Sequence, residues 1–150
     1  MAVDGKIRIE DRRVKAAFAR LLAALPVGGD MTPAMKDIGR ALKTGTQLRF
    51  RAGQSPEGTP WRPSLRALAE GGQTLRLSGR LRNSITFAAT KDAVEIGTNV
   101  LYAAIHQFGG AAGRGGKAKI PARPYLGASE ADKTELLRIV NGYLARAWEL

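Results

Sequence analysis

No long helix or strand can run through residues 96–127, IGTNVLYAAIHQFGGAAGRGGKAKIPARPYLG. The apolar piece Leu101–Phe108 is stopped by Gly109-Gly110, and Gly113, Gly115 and Gly116 follow closely. Arg123 then stands between Pro121 and Pro124. Glycine raises the entropy lost on ordering, while proline fixes φ and removes an amide donor. Any fold must therefore carry this stretch as short pieces and take its long regular elements from the flanks.

The flanks have them. From Glu10 to Leu25, Val14, Phe18, Leu21, Leu22 and Leu25 share one helical face, with Arg12, Arg13 and Lys15 toward solvent. Pro26 and Gly28-Gly29 end that helix. Thr32-Pro33 starts a second, with Thr32 as cap and Met35, Ile38, Leu42 and Leu48 as its buried face. Gly39 and Gly45 permit close packing there, and Arg49 and Arg51 form a charged tip. Ala128–Trp148 is the last long helix, carried by Leu136, Ile139, Val140, Tyr143, Leu144 and Ala147, with Trp148 packed against it.

Between these flanks the pieces are short. Residues 53–63 form a loop anchored by Trp61, Ser64 caps a helix reaching Leu68 or Ala69, and Gly71-Gly72 ends it. Leu75 and Leu77 alternate as in a strand, and Ser78 caps a short helix bearing Leu81 and Ile85. Phe87–Ala89 and Ala93–Ile96 pair as a hairpin about Thr90-Lys91-Asp92, with Val94 and Ile96 inward. A short strand is expected at Lys6–Ile9. Leu101, Ile105 and Phe108 are expected on the packed face of a helix. The class is α+β: a small antiparallel sheet packed against long N- and C-terminal helices, with extended loops. A single domain, 1–150, has its candidate assembly loops near 51–76 and 109–127.

The chain has 150 residues, enough for one sizeable core, and no run of about 20 apolar residues to span a membrane. Its start, MAVDGKIRIEDRR, does not read as a secretory signal. It has no cysteine, which removes disulfides and thiolate metal sites and agrees with cytosolic production. Lys and Arg number 24 against 13 acids, a formal charge of +11 that favours nucleic acid, anionic membrane or an acidic protein face without choosing among them.

Enzyme chemistry is poorly supplied. His106 is the lone histidine and has no evident base–orienter relay, so it reads as a structural or interface imidazole. One histidine cannot build a multi-histidine zinc site. Ser78 and Ser84 lie near Arg80 and Arg82 without an activating base. Neither GxGxxG after a strand nor GxxxxGK[ST] occurs. No catalytic, cofactor-binding or metal-binding residues are assigned.

The loops offer contacts instead. Arg114, Lys117, Lys119 and Arg123 run without an intervening acid, a pattern able to meet phosphates or a neighbouring subunit. Only Tyr125 is near as an aromatic, too little for a base-stacking platform. Arg123 pairs with an adjacent subunit or braces its own domain, and Trp61 is an interface knob or a pin for its own loop. The candidate interface set is Trp61, Arg80, Arg114, Lys117, Lys119, Arg123 and Tyr125.

Taken together, GTPWRP at 58–63, LSGRLRNSI at 77–85, VEIGTNVLYAAIHQFGG at 94–110 and IPARPYLG at 120–127 resemble the phage virion morphogenesis family, the group typified by the G protein of phage Mu. The resemblance spans roughly residues 35–145. It implies a non-enzymatic virion component without cofactors, made in the host cytoplasm and placed at the neck or head–tail junction. It further implies a tail-completion or head–tail joining ring, commonly hexameric, around the DNA passage. The implied partners are connector, tail-terminator or tail-tube proteins, with DNA close by and no membrane. By the same resemblance Gly79-Arg80-Leu81 would start the short helix before the hairpin. Gly97, Tyr102, His106, Phe108 and Gly109 would shape the next segment, and Pro121, Arg123, Pro124 and Tyr125 would close the pattern. The basic, glycine-rich 109–119 loop departs from the pattern. A basic nucleic-acid-binding accessory protein of virion morphogenesis is the alternative.

Overall fold

Helix α2 (Thr32–Ala52), 21 residues long, is the longest element, and it packs against the last helix and against a β-hairpin. The structure, a computed structural model, describes residues 12–24 and 30–149. The expected strand at Lys6–Ile9, and the helix stop at Pro26 and Gly28-Gly29, lie outside the described residues. Helix α1 (Arg12–Ala24) and helix α6 (Glu130–Trp148) lie against each other, and α6 also lies against α2. Ala17, Leu21, Met35, Ile38, Leu42, Leu136, Ile139, Val140 and Leu144 fill the space between the three helices.

Short elements connect α2 to α6. Helix α3 (Leu65–Glu70) and helix α4 (Arg80–Asn83) precede strands β1 (Thr86–Ala89) and β2 (Val94–Gly97). Helix α5 (Ala103–Phe108) leads to strands β3 (Gly110–Ala112) and β4 (Ala118–Ile120), joined through a 3-10 turn at Arg114–Gly116. β1 pairs antiparallel with β2, placing Phe87 opposite Ile96, and β3 pairs antiparallel with β4, placing Ala111 opposite Lys119. The fold is thus α+β, with two separate two-stranded sheets.

The β1–β2 hairpin lies chiefly on α2, not on the N- and C-terminal helices as expected. The reason is local: the Phe87 ring occupies the space a side chain at Gly39 would need. Gly45 does the same for the Asp132 carboxylate of α6. Both glycines trade helix propensity for close approach, as the sequence indicated.

A second cluster gathers Phe50, Trp61, Leu81, Ile85, Val100, Ala103 and Tyr125. Ile96 touches both clusters and joins them. Ser64 caps α3 by accepting a hydrogen bond from the Ala67 amide, and Gly71 ends that helix in the left-handed conformation. Ser129 and Asp132 form a reciprocal capping box at the start of α6.

Several sequence expectations change. Asp30, not Thr32, serves the start of α2: its Oδ1 accepts from the Thr32 amide at 2.9 Å, which holds the Asp30 carboxyl below its usual range. Leu22 and Leu48 face outward, and the buried positions on α1 are Ala17 and Leu21. Leu75 and Leu77 form no strand, since Leu75 has φ 60° and Leu77 is exposed. Leu101 precedes α5 and is 98% exposed, and Phe108 is half exposed. The buried face of α5 is Ala103 and Gln107 instead, one turn apart. Trp148, the last residue of α6, is 73% exposed and not buried in helix packing.

Gly39→Ala is expected to destabilise the protein by about 1–3 kcal/mol, because the Phe87 ring must be displaced. Gly142→Ala, on α6 with no atom near the added methyl, should be neutral or stabilising by up to about 1 kcal/mol. Urea unfolding midpoints of the two variants check the contrast.

Candidate functional site

The chain between Gly53 and Ser129 is anchored by one buried cation. Arg49, at the last turn of α2, is buried although the sequence suggested a charged tip. Its Nη1 donates to Asp132 Oδ2 at 2.6 Å and its Nε to the Tyr125 carbonyl at 2.9 Å. Its Nη2 donates to the Gly127 carbonyl at 2.8 Å and to Thr46 Oγ1 at 3.1 Å. Asp132 Oδ2 also accepts from the Ser129 amide at 2.9 Å. A planar guanidinium can serve several acceptors at once, so α2, α6 and the segment between them converge on one side chain.

Aromatic packing lies next to it. Phe50 meets the Trp61 ring edge-on at 5.5 Å and the Tyr125 ring at 5.1 Å. Trp61 Nε1 donates to the Pro124 carbonyl at 2.9 Å. Tyr125 is 1% exposed, and its hydroxyl donates to the Ala103 carbonyl at 2.9 Å. Burial pushes the Tyr125 phenol up to about 12. Gln107 finishes the brace, with Oε1 accepting from the Tyr125 and Leu126 amides at 3.0 and 2.9 Å and Nε2 donating to the Leu126 carbonyl at 3.2 Å. Gly109 is needed where α5 turns back: at φ 72°, an added Cβ would lie 2.7 Å from the Ala122 amide nitrogen. The Arg123 amide donates to the His106 carbonyl at 2.7 Å, which lays the Pro121–Pro124 segment along α5.

The candidate residues therefore separate into two groups. Trp61, Arg123 and Tyr125 are interior to the domain, and the first and last are core aromatics instead of surface knobs. Arg80, Arg114, Lys117 and Lys119 are exposed. The last three sit on the β3–β4 hairpin and its turn, where no residue is buried. The 109–119 segment expected as an irregular loop is thus a short hairpin standing off the core. Of the motif residues, Gly97 ends β2, Tyr102 stacks edge-on against His106 at 5.8 Å, and Pro121 and Pro124 flank Arg123.

Nothing here assembles a reaction centre. His106 Nδ1 is buried without a hydrogen-bond partner, and burial together with the Arg123 charge lowers the imidazole below its usual range, leaving it neutral near pH 7. Ser84 Oγ donates to the Leu81 carbonyl at 2.7 Å and lies 2.6 Å from Thr98 Oγ1, with no base beside it. Ser78 Oγ accepts from the Arg80 amide at 3.3 Å. Among the described residues no group of three His, Cys, Asp or Glu could hold a metal ion, and no helix is long and apolar enough to cross a membrane. An open cleft between α2 and α6 is lined by Asp37, Arg40, Leu48, Asp132, Glu135 and Arg138, and contains neither His106 nor these serines.

Sequence reasoning missed Arg49 and Gln107. Arg49 follows Leu42 by seven residues and Thr46 by three, so it continues the buried stripe of α2 and was readable from helical spacing. Gln107 follows Ala103 by four and was masked by the larger apolar Leu101 and Phe108.

The phage virion morphogenesis family matches residues 9–145 of the chain. The chain is 33% identical over 132 residues to the Mu-like prophage FluMu G protein 2 of Haemophilus influenzae, covering 88% of this chain and 89% of that protein. It is 28% identical over 160 aligned positions to the putative capsid assembly protein G of Escherichia phage Mu, covering 98% of each. No solved structure gives a significant match.

Arg49→Met is expected to cost about 3–5 kcal/mol, because Asp132 is left buried without its cation. Thermal or urea unfolding measures it. Tyr125 keeps its proton to higher pH when folded than when unfolded. Its contribution is complete below about pH 10 and is lost as pH rises toward about 12. The stability difference between wild type and Tyr125→Phe should therefore shrink by about 2 kcal/mol across that window, as unfolding at stepped alkaline pH would show.

Proposed function

This chain belongs to the phage virion morphogenesis family, and on that premise we propose that it is a non-enzymatic structural subunit of the phage neck. In this reading it forms a tail-completion or head–tail joining ring, a homo-oligomer of six copies, around the DNA passage. The helices and braced aromatics supply a rigid body, and the loops bridge neighbouring copies and adjoining rings. Its neighbours are connector, tail-terminator or tail-tube proteins. It is assembled in the host cytoplasm and resides in the virion.

The observation that carries this reading is the β3–β4 hairpin. A two-stranded hairpin without a buried face is marginal in water by itself, and this one buries no residue in its own domain. Its base is nonetheless held by Gly109 and by Arg123 against α5. An arm fixed at its root, half-buried only at Ala112 and Ile120 and otherwise exposed, is suited to packing on another protein. The exposed Leu65, Leu68, Leu77 and Leu101 add apolar area for such contacts. The curated relative in phage Mu is named as a putative capsid assembly protein, which agrees with an assembly role.

The second reading, a nucleic-acid-binding accessory protein, is favoured by the three exposed cations on the hairpin and by the +11 charge. Replacing Arg114, Lys117 and Lys119 together by Ala separates the two. Stability should change by less than about 0.5 kcal/mol, since all three side chains are on the surface. The neck reading expects wild-type protein to join purified tails or connectors and the variant to do so poorly, with negligible DNA affinity in either. Salt-sensitive DNA binding by the free chain, lost in the variant, would favour the second reading.

A further inference from the structure

Arg123 is 5% exposed, yet it has no carboxylate partner among the described residues. One of its hydrogen-bond donors is used: Nε donates to the Arg62 carbonyl at 2.7 Å. Among the described residues its Nη groups have no hydrogen-bond acceptor, and they are not sealed from solvent. The nearby charge is also positive, for the Arg62 guanidinium pulls Arg123 below its usual value together with burial. His106, alongside, has its imidazole lowered by burial and by the Arg123 charge, and as an imidazole can supply no negative charge. Arg123 thus lies against the backbone of a second arginine, where the buried Arg49 has an acid, Asp132, beside it.

The arrangement is built. Pro121 and Pro124 bound Arg123, its amide is held by the His106 carbonyl, and its Nε is pinned by the backbone of residue 62. Arg62 itself is exposed. A pinned guanidinium with an open Nη edge matches the two oxygens of a carboxylate, and a second cation beside it strengthens the pair.

We propose that Arg62 and Arg123 form a receptor for a carboxylate side chain on an acidic partner protein of the virion, an inference that rests on reading the chain as a virion subunit. A partner other than a second copy is favoured by charge. With 24 basic residues against 13 acids, the chain has fewer carboxylates to offer than an acidic partner has. Many of its own acids are also occupied, Asp37 by Arg40 and Tyr143, Asp132 by Arg49, Glu130 by Arg13 and Lys133, and Glu135 by Arg138.

Titration of the full-length, nitrogen-15-labelled chain with sodium acetate tests the receptor through the Arg123 Nε–Hε resonance. Saturable movement is expected, weakened about tenfold in Arg62→Ala, which removes one charge-assisted contact and leaves the pinning carbonyl in place. Arg123→Lys, which keeps the charge but loses the fork, should abolish acetate binding, read there from the backbone amide of residue 123, which titrates with acetate in the wild type. Absence of movement in the wild type overturns the proposal, and so does tighter binding of sodium phosphate than of acetate at equal ionic strength, which would indicate a nucleic-acid backbone. Arg62→Glu then tests the source of the carboxylate. Wild type should be found in purified virions and Arg62→Glu depleted from them, with the solution mass of the free chain unchanged. A changed oligomeric mass would assign the carboxylate to a second copy and overturn the choice of partner. Wild type missing from virions would refute the virion reading separately from the acetate result.

Discussion

The Arg49–Asp132 pair fixes the relation between the helical body and everything that departs from it. Asp132 is the N3 residue of the capping box on α6, so the carboxylate that starts the last helix also holds the last turn of α2. The same guanidinium takes the carbonyls of Tyr125 and Gly127, the final residues of the irregular stretch. Removing water from such a pair is costly, and the pair is tolerable only because nearly every donor and acceptor is used. Gly45 makes it sterically possible, since any side chain there would meet Asp132.

From that fixed point the two hydrophobic clusters follow. The three-helix cluster depends on apolar stripes of ordinary helical period. The second depends on Phe50, one residue after Arg49, reaching Trp61 and Tyr125 across two loops. The loops therefore have interior anchors at Trp61, Gln107, Arg123 and Tyr125, while their outer parts carry exposed cations and leucines. Rigidity at the root and exposure at the tip are the physical features shared by the β3–β4 hairpin and the Arg62–Arg123 pair. Both suit a subunit whose binding energy comes from neighbours, with little order left to be gained on docking.

Much of this was legible in the sequence. Period 3.6 placed α1, α2 and α6, Ser64 and Gly71 bounded α3, and Thr90-Lys91-Asp92 located the β1–β2 turn. Gly39 and Gly45 announced close contacts, and the family resemblance agrees with the match over residues 9–145. The misses share a cause. Arg49 and Gln107 are polar side chains that the fold buries for their hydrogen bonds, whereas Leu48, Leu101 and Trp148 are apolar side chains left outside. Hydrophobic pattern ranks residues by transfer energy, and it cannot see that a loop's backbone carbonyls will need a buried donor. The β3–β4 pairing was hidden for a related reason: its strands are three residues each, and their alanines and glycines carry almost no strand signal.

The most direct measurement is a reconstruction of the phage particle's neck with this chain traced. The account predicts a ring at that position in which a neighbouring protein covers the β3–β4 hairpin and the Arg62–Arg123 face. Arg49, Trp61 and Tyr125 should keep their contacts within the domain. A chain absent from the neck, or a hairpin and arginine face left clear of every neighbour in the ring, would contradict it.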